Sequence, residues 1–132
     1  MLIFAIDPGL TNGYAWYDTV TEEFEAGQST DPMQVVSWMK FYMPTALGTP
    51  HFIVENYLSA GHLTKEAMYT IKLVGFFEFY IKAVWADSVV LAPPQRRLSG
   101  VGRAKTMAQA SLTPGPHSWD ALAHALVAAR TM

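Results

Sequence analysis

Apolar residues along this chain change their spacing from one segment to the next, and the order of those spacings limits the folds open to it. Short runs of strand character come first, and stretches with the three-and-four spacing of helices are then interleaved with further short runs. Leu2 to Asp7 is a short apolar run ended by Asp7-Pro8-Gly9, and Gly13 to Asp18 and Glu22 to Gln28 read as two more strands joined by a polar turn. Asp31-Pro32 supplies a helix start with proline in its first turn, and Val35, Val36, Met39, Tyr42 and Met43 recur at helical spacing until Pro44. His51 to Glu55 is a brief apolar strand. Thr64 opens a long helical stretch reaching about Val84, and Asp87 to Ala92 is a further strand broken by Pro93-Pro94. A small helix from Gly102 to Leu112 and a last one from about His117 to Arg130 flank the break Thr113-Pro114-Gly115-Pro116. Such an order predicts an α/β chain with a mixed sheet and helices on both of its faces.

The long helical stretch carries more apolar surface than one sheet can cover. Its polar positions, Lys65, Glu66, Thr70, Lys72, Glu78 and Lys82, are scattered around the wheel, so Met68, Ile71, Phe76, Phe77, Phe79, Tyr80 and Ile81 occupy more than one face. A second cover is needed: either the same helix of another copy, in a homodimer formed through about 64–84, or the terminal helix of the same subunit. The homodimer is the expected arrangement. The same charges, Lys72, Glu78 and Lys82, rule the stretch out as a membrane span.

At 132 residues the chain fits one compact domain, 1–132. Hydrophobic residues at 51% against 15% charged favour a packed globule over a disordered chain. The absence of cysteine excludes disulfides, thiolate metal sites and cysteine nucleophiles, and with no signal-peptide pattern at Met1 to Asp7 the expected setting is cytoplasmic. A formal net charge of −2 does not advertise nucleic-acid binding, yet four of the nine basic residues, Arg96, Arg97, Arg103 and Lys105, fall within one short segment.

Candidate chemistry lies at the ends of the strands. Asp7 closes the first strand, where Pro8-Gly9 holds it at the sheet's edge, or it is an ordinary turn aspartate. Glu55 closes a second apolar strand, Phe52-Ile53-Val54-Glu55. Two carboxylates at adjacent strand ends repel one another unless a cation or a proton intervenes, although either could instead serve a surface ion pair. His117 and Asp120, three apart at the start of the last helix, share one face, and Asp120 could also act as a first-turn helix carboxylate. His124 extends that face among Ala121, Leu122, Ala125 and Leu126 and is read as a core histidine. Asp7, Glu55, His117 and Asp120 together would make a fair shell for Mg²⁺ or Mn²⁺.

Four segments, in order, resemble the RuvC-type Holliday junction resolvases. Phe4-Ala5-Ile6-Asp7-Pro8-Gly9-Leu10-Thr11-Asn12-Gly13-Tyr14-Ala15 is similar to their first strand and turn, and Phe52-Ile53-Val54-Glu55-Asn56 to their second acidic strand. Pro94-Gln95-Arg96-Arg97-Leu98-Ser99-Gly100-Val101-Gly102-Arg103-Ala104-Lys105 is similar to their basic segment after the fifth strand. His117-Ser118-Trp119-Asp120-Ala121-Leu122-Ala123-His124-Ala125-Leu126 is similar to their terminal helix. The resemblance implies an RNase H-like fold with a five-stranded mixed sheet in the order 3-2-1-4-5, and a compact, phage-type member. It implies two Mg²⁺ or Mn²⁺ ions shared among Asp7, Glu55, His117 and Asp120, and hydrolysis of branched DNA that leaves 5′-phosphates. Arg96, Arg97, Arg103 and Lys105, with Lys65 and Lys72, would contact DNA phosphates. Tyr57 stands after Glu55 where the family places a phenylalanine one position further on, so its stacking on an unpaired base competes with plain core packing.

Other readings share parts of this pattern. An RNase H-like nuclease of broader specificity, acting on forks, flaps or structured RNA, would use the same acids, and a non-catalytic DNA-binding relative would have no need for the full acidic set. Asp7-Pro8-Gly9-Leu10-Thr11 also resembles the phosphate turn of actin-like ATPases, but that architecture needs two related domains around the nucleotide.

Overall fold

The computed structural model describes residues 1–43, 50–56, 64–85, 89–92 and 116–131. In chain order these form β1 (Leu2–Asp7), β2 (Asn12–Asp18), β3 (Phe24–Ser29), α1 (Pro32–Tyr42), β4 (His51–Glu55), α2 (Lys65–Trp85), β5 (Val89–Ala92) and α3 (Pro116–Thr131). The strands make one mixed sheet in the order β3-β2-β1-β4-β5. The pairs β1–β2 and β2–β3 are antiparallel, whereas β1–β4 and β4–β5 are parallel. The expected α/β class with a mixed sheet is therefore the one the chain adopts. The small helix expected from Gly102 to Leu112 lies outside the described residues, as do Asp87 and Ser88.

Local chemistry sets the boundaries. Asp18 Oδ1 accepts from the amides of Val20 and Thr21, at 2.8 and 3.4 Å, and Glu22 adopts φ 60° in the turn that follows. That turn takes up Glu22 and Glu23, so β3 starts at Phe24, two residues later than the sequence pattern suggests. Asp31 caps α1 by accepting from the Met33 amide at 2.9 Å, and Pro32 occupies the first turn, where its missing N–H costs nothing. Thr64 caps α2 in the same way, its Oγ1 accepting from the Ala67 amide at 3.0 Å.

Alternation along the strands sorts side chains to two unlike faces. Phe4, Ile6, Tyr14, Phe52 and Val54 point to one face, where Val35, Val36 and Met39 of α1 and Leu73, Val74, Phe77 and Ile81 of α2 bury them. Ile3, Ala5, Ala15, Tyr17 and Ile53 point to the other, covered by Ala121, Leu122, Ala123, Ala125 and Leu126 of α3. Alanines on both sides of that second interface let α3 lie close to the sheet, whereas large aromatic and aliphatic residues hold α1 and α2 further off.

Because α3 sits on the opposite side of the sheet, it does not cover the outer surface of α2. Met68, Ile71 and Phe79 stay exposed there, Phe79 at 75%. Phe76 and Tyr80, by contrast, pack against the core. No helix among the described residues is long and apolar enough to cross a membrane.

Candidate metal centre

Parity in the strands delivers the acids. Asp7 follows Ile3 and Ala5 at spacing two, and Glu55 follows Ile53, so both carboxylates face the α3 side of the sheet at the ends of parallel neighbours β1 and β4. The turn after β1 is anchored by Asn12, which is fully buried. Its Oδ1 accepts from the Gly9 amide at 3.2 Å, and its Nδ2 donates to the Ser29 carbonyl at 3.2 Å. The loop carrying Asp7 is thereby tied to the end of β3.

Gly13 pairs with Asp7 across the sheet, and a β-carbon there would overlap the backbone of His117. The first turn of α3 thus descends onto the sheet through the space that glycine leaves. His117 Nδ1 lies 3.6 Å from Asp7 Oδ2, and His124 Nε2, two turns further along α3, lies 3.5 Å from Glu55 Oε2. Asp120 stands between the two histidines, and donor atoms of Asp7, His117 and Asp120 all lie within 4.8 Å of one another.

The electrostatics follow from crowding. Burial, then a hydrogen bond to Glu55, then the charges of Glu55 and Asp120, push the Asp7 carboxyl up to about 9 from an ordinary 3.8. Burial pushes Glu55 the same way, but hydrogen bonds from His124 and Asp7 and the nearby imidazoles win, and Glu55 titrates below its ordinary value. The two carboxyls share one proton, which resides on Asp7 and is donated to an ionised Glu55.

Carboxyls crowded in this way can be relieved by a cation as well as by a proton. Oxygen ligands about 2.1 Å from a common octahedral centre stand roughly 3–4 Å apart, so the donors of Asp7, His117 and Asp120 need draw in only slightly to meet one ion. An oxygen-rich set with one imidazole suits Mg²⁺ or Mn²⁺. Glu55 is the remaining carboxylate at this spot, joined to the set through Asp7. Of the four residues singled out from the sequence, Asp7, His117 and Asp120 are brought together as one donor group, and Glu55 adjoins it through Asp7.

Comparison with solved structures follows the same geometry. The chain matches the Thermus thermophilus RuvC structure with a TM-score of 0.58 at 18% identity, covering 99% of this chain and 95% of that one. It matches T. thermophilus RuvC in complex with Holliday junction substrate with a TM-score of 0.61, again at 18% identity, covering 99% and 94%. The chain has the RuvC fold. No protein-family model matches the sequence, and no curated protein sequence matches it.

Within this RuvC fold, two of the expected DNA contacts are described. Lys65 and Lys72 are both exposed and seven residues apart on α2, hence on one face. Trp85, at the far end of α2, packs on Phe52 near the start of β4, with ring centroids 4.9 Å apart. The helix therefore runs antiparallel to β4, and Lys65 emerges at the end where Glu55 lies. Tyr57, Arg96, Arg97, Arg103 and Lys105 lie outside the described residues.

Three features of the site are not assigned by the sequence pattern: the anchoring amide of Asn12, the clearance at Gly13, and the partner of His124. A glycine inside a strand pattern is itself a signal of close backbone approach, and Gly13 carries it. His124 is buried, as a core histidine should be, but its Nε2 is turned to Glu55.

Proposed function

We propose that the chain is a metal-dependent endonuclease that resolves Holliday junctions and related branched DNA, leaving 5′-phosphates. The reading is carried by the convergence of Asp7, Glu55, His117 and Asp120 at one sheet end, with the RuvC fold as support. The unit is a single RNase H-like domain, 1–132, working in the cytoplasm.

Asp7, Glu55, His117 and Asp120 would hold two Mg²⁺ or Mn²⁺ ions, with Asp7 central because it touches both Glu55 and His117. When bound, the ions supply Lewis acidity, easing the loss of a proton from water and neutralising charge that grows on the scissile phosphate. The residues do the rest. Asp7 would release to solvent the proton it shares with Glu55 and become fully anionic. His117, half exposed at the mouth of the site, can orient the attacking water or accept its proton. In-line attack of that water on phosphorus breaks the bond to the 3′-oxygen, which leaves as the 3′-hydroxyl once protonated.

Lys65 and Lys72 would engage phosphates next to the site, and Arg96, Arg97, Arg103 and Lys105 would extend that track, so binding weakens steeply with salt. Tyr57 would stack at the branch point. A four-way junction presents two equivalent strands, and a symmetric pair of sites fits it. A homodimer through α2 supplies the pair: Met68, Ile71, Gly75 and Phe79 form one exposed stripe, and a β-carbon on Gly75 would meet nothing within 4 Å.

The deciding experiment compares cleavage of labelled four-way, three-way, flap and linear duplex DNA, with and without Mg²⁺ or Mn²⁺, by the chain and by Asp7→Asn. Metal-dependent, symmetric cuts in the four-way substrate that vanish in Asp7→Asn are expected. Cutting of every branched form alike would mean a broader nuclease, and binding without cutting would mean a DNA-binding module.

A further inference from the structure

His124 is 5% exposed and sits on α3 among Ala121, Leu122, Ala125 and Leu126, all buried. A polar ring in such surroundings is costly unless it has a partner, and an apolar residue of similar size would fill the space without that cost. Its partner is Glu55 Oε2 at 3.5 Å, approached by Nε2. Glu55 stands next to Asp7, and once a cation displaces the proton between them their like charges would drive an unheld glutamate side chain to turn away.

His124 also lies outside the donor set. Donor atoms of Asp7, His117 and Asp120 gather within 4.8 Å; Glu55 adjoins that group through its hydrogen bond with Asp7, whereas the partner of His124 is Glu55. On the helix face it follows Asp120 by four positions and His117 by seven, which sets it one turn beyond Asp120 and two beyond His117.

We infer that His124 is a positioning residue: its imidazole, donating through Nε2 from inside the core, fixes the side chain of Glu55 so that the free carboxylate oxygen is presented to the cation site beside Asp7. The inference rests on the proposed cation site. An imidazole held behind a ligating carboxylate orients it and limits its rotamers, and loss of such a partner typically weakens metal binding by about 10–100-fold. α3 would thus supply His117 and Asp120 near its start and steady Glu55 from one turn beyond Asp120.

The test is a calorimetric titration of the intact chain with Mn²⁺ alone, free of DNA, on the unsubstituted protein, His124→Leu and His124→Gln. His124→Leu is expected to weaken Mn²⁺ binding by about 10–100-fold. His124→Gln, which keeps an N–H donor at nearly the same reach, should recover most of the loss. In a Glu55→Gln background His124→Leu should weaken binding little further, because the two act through one contact. Mn²⁺ binding by folded His124→Leu as tight as in the unsubstituted chain overturns the inference.

Should His124→Leu fail to fold, nitrogen-15 NMR of the imidazoles in the unsubstituted chain decides. The His124 Nε2 resonance should carry a proton and move on Glu55→Gln, and a resonance that stays in place overturns the assignment. A chain that takes up no Mn²⁺ before any substitution overturns the inference and the cation site together. One that shows the His124 effect on Mn²⁺ but cuts no DNA supports the inference and overturns only the nuclease reading.

Discussion

The backbone of His117 occupies the space above Gly13 where any other residue would carry its β-carbon. Because Gly13 is also the cross-strand partner of Asp7, the glycine sets the height at which α3 crosses the acids. Gly13→Ala must push the start of α3 outward, for the obstacle is backbone and cannot rotate away. Overpacking of this kind costs about 1–3 kcal/mol. Thermal unfolding should register that loss, and Mn²⁺ titration should show weakened binding even at temperatures where the variant is fully folded. A variant with unchanged Mn²⁺ affinity would mean that α3 can shift without disturbing the donors.

Asp7 ties stability to pH and to cations. Its carboxyl releases its proton near 3.8 when unfolded but only at about 9 in the folded chain, so between those values the folded form binds the extra proton. Stability from this group is therefore full below the unfolded value and falls as pH rises towards 9. Melting temperatures of the cation-free chain should drop relative to those of Asp7→Asn as pH is raised across this window. Asp7→Asn, which cannot ionise, should melt higher than the parent at neutral pH, by on the order of 5 °C. Mn²⁺ at about 100 times its Kd should add about 2.7 kcal/mol to the parent and much less to Asp7→Asn. Parallel pH curves for the two proteins would remove the shared proton from the account.

Asn12 is buried with both ends of its amide engaged, one on Gly9 and one on Ser29. Asn12→Ala removes the partner of a part-buried N–H at Gly9 and of a part-buried carbonyl at Ser29, which costs about 1–3 kcal/mol. Asn12→Asp keeps the acceptor for Gly9 but sets a carboxylate against the Ser29 carbonyl, and should be at least as damaging. Denaturant unfolding measures both, and a neutral Asn12→Ala would show that the loop holds Asp7 without its help.

Phe79 is the most exposed of the apolar residues on α2, so a charge there touches little within one subunit. Phe79→Asp should change monomer stability by no more than about 0.5 kcal/mol while abolishing self-association through α2. Sedimentation at micromolar concentration is expected to give a dimer for the parent and a monomer for Phe79→Asp. A monomeric parent would end the homodimer proposal.

Much of this arrangement was legible in the sequence because it depends on local order. A carboxylate closing an apolar strand can only emerge at a sheet's end, which fixes Asp7 and Glu55, and the three-residue spacing of His117 and Asp120 fixes their common face. The surplus of apolar positions on α2 also showed, since a wheel can be counted without a structure. What was hidden depends on contact between distant segments. No local pattern distinguishes a histidine that merely fills the core from one whose Nε2 meets Glu55, and none says that Asn12 reaches Ser29. The late start of β3 was missed for a nearer reason: Asp18 draws the Val20 and Thr21 amides into a turn, and Glu22 takes up a left-handed conformation that glutamate seldom adopts.

The parity of β1 binds two properties that are usually tuned apart. Asp7 faces α3 only because Ile3 and Ala5 do, and the same holds for Glu55 through Ile53. A slip of either strand by one residue would turn its acid into the apolar layer under α1 and α2 and bring that layer's side chains round to the other face. Misregistered molecules would therefore be poorly packed as well as inactive, and a cell's quality control could remove them by their exposed core. In this chain the placing of the acids is proofread by packing.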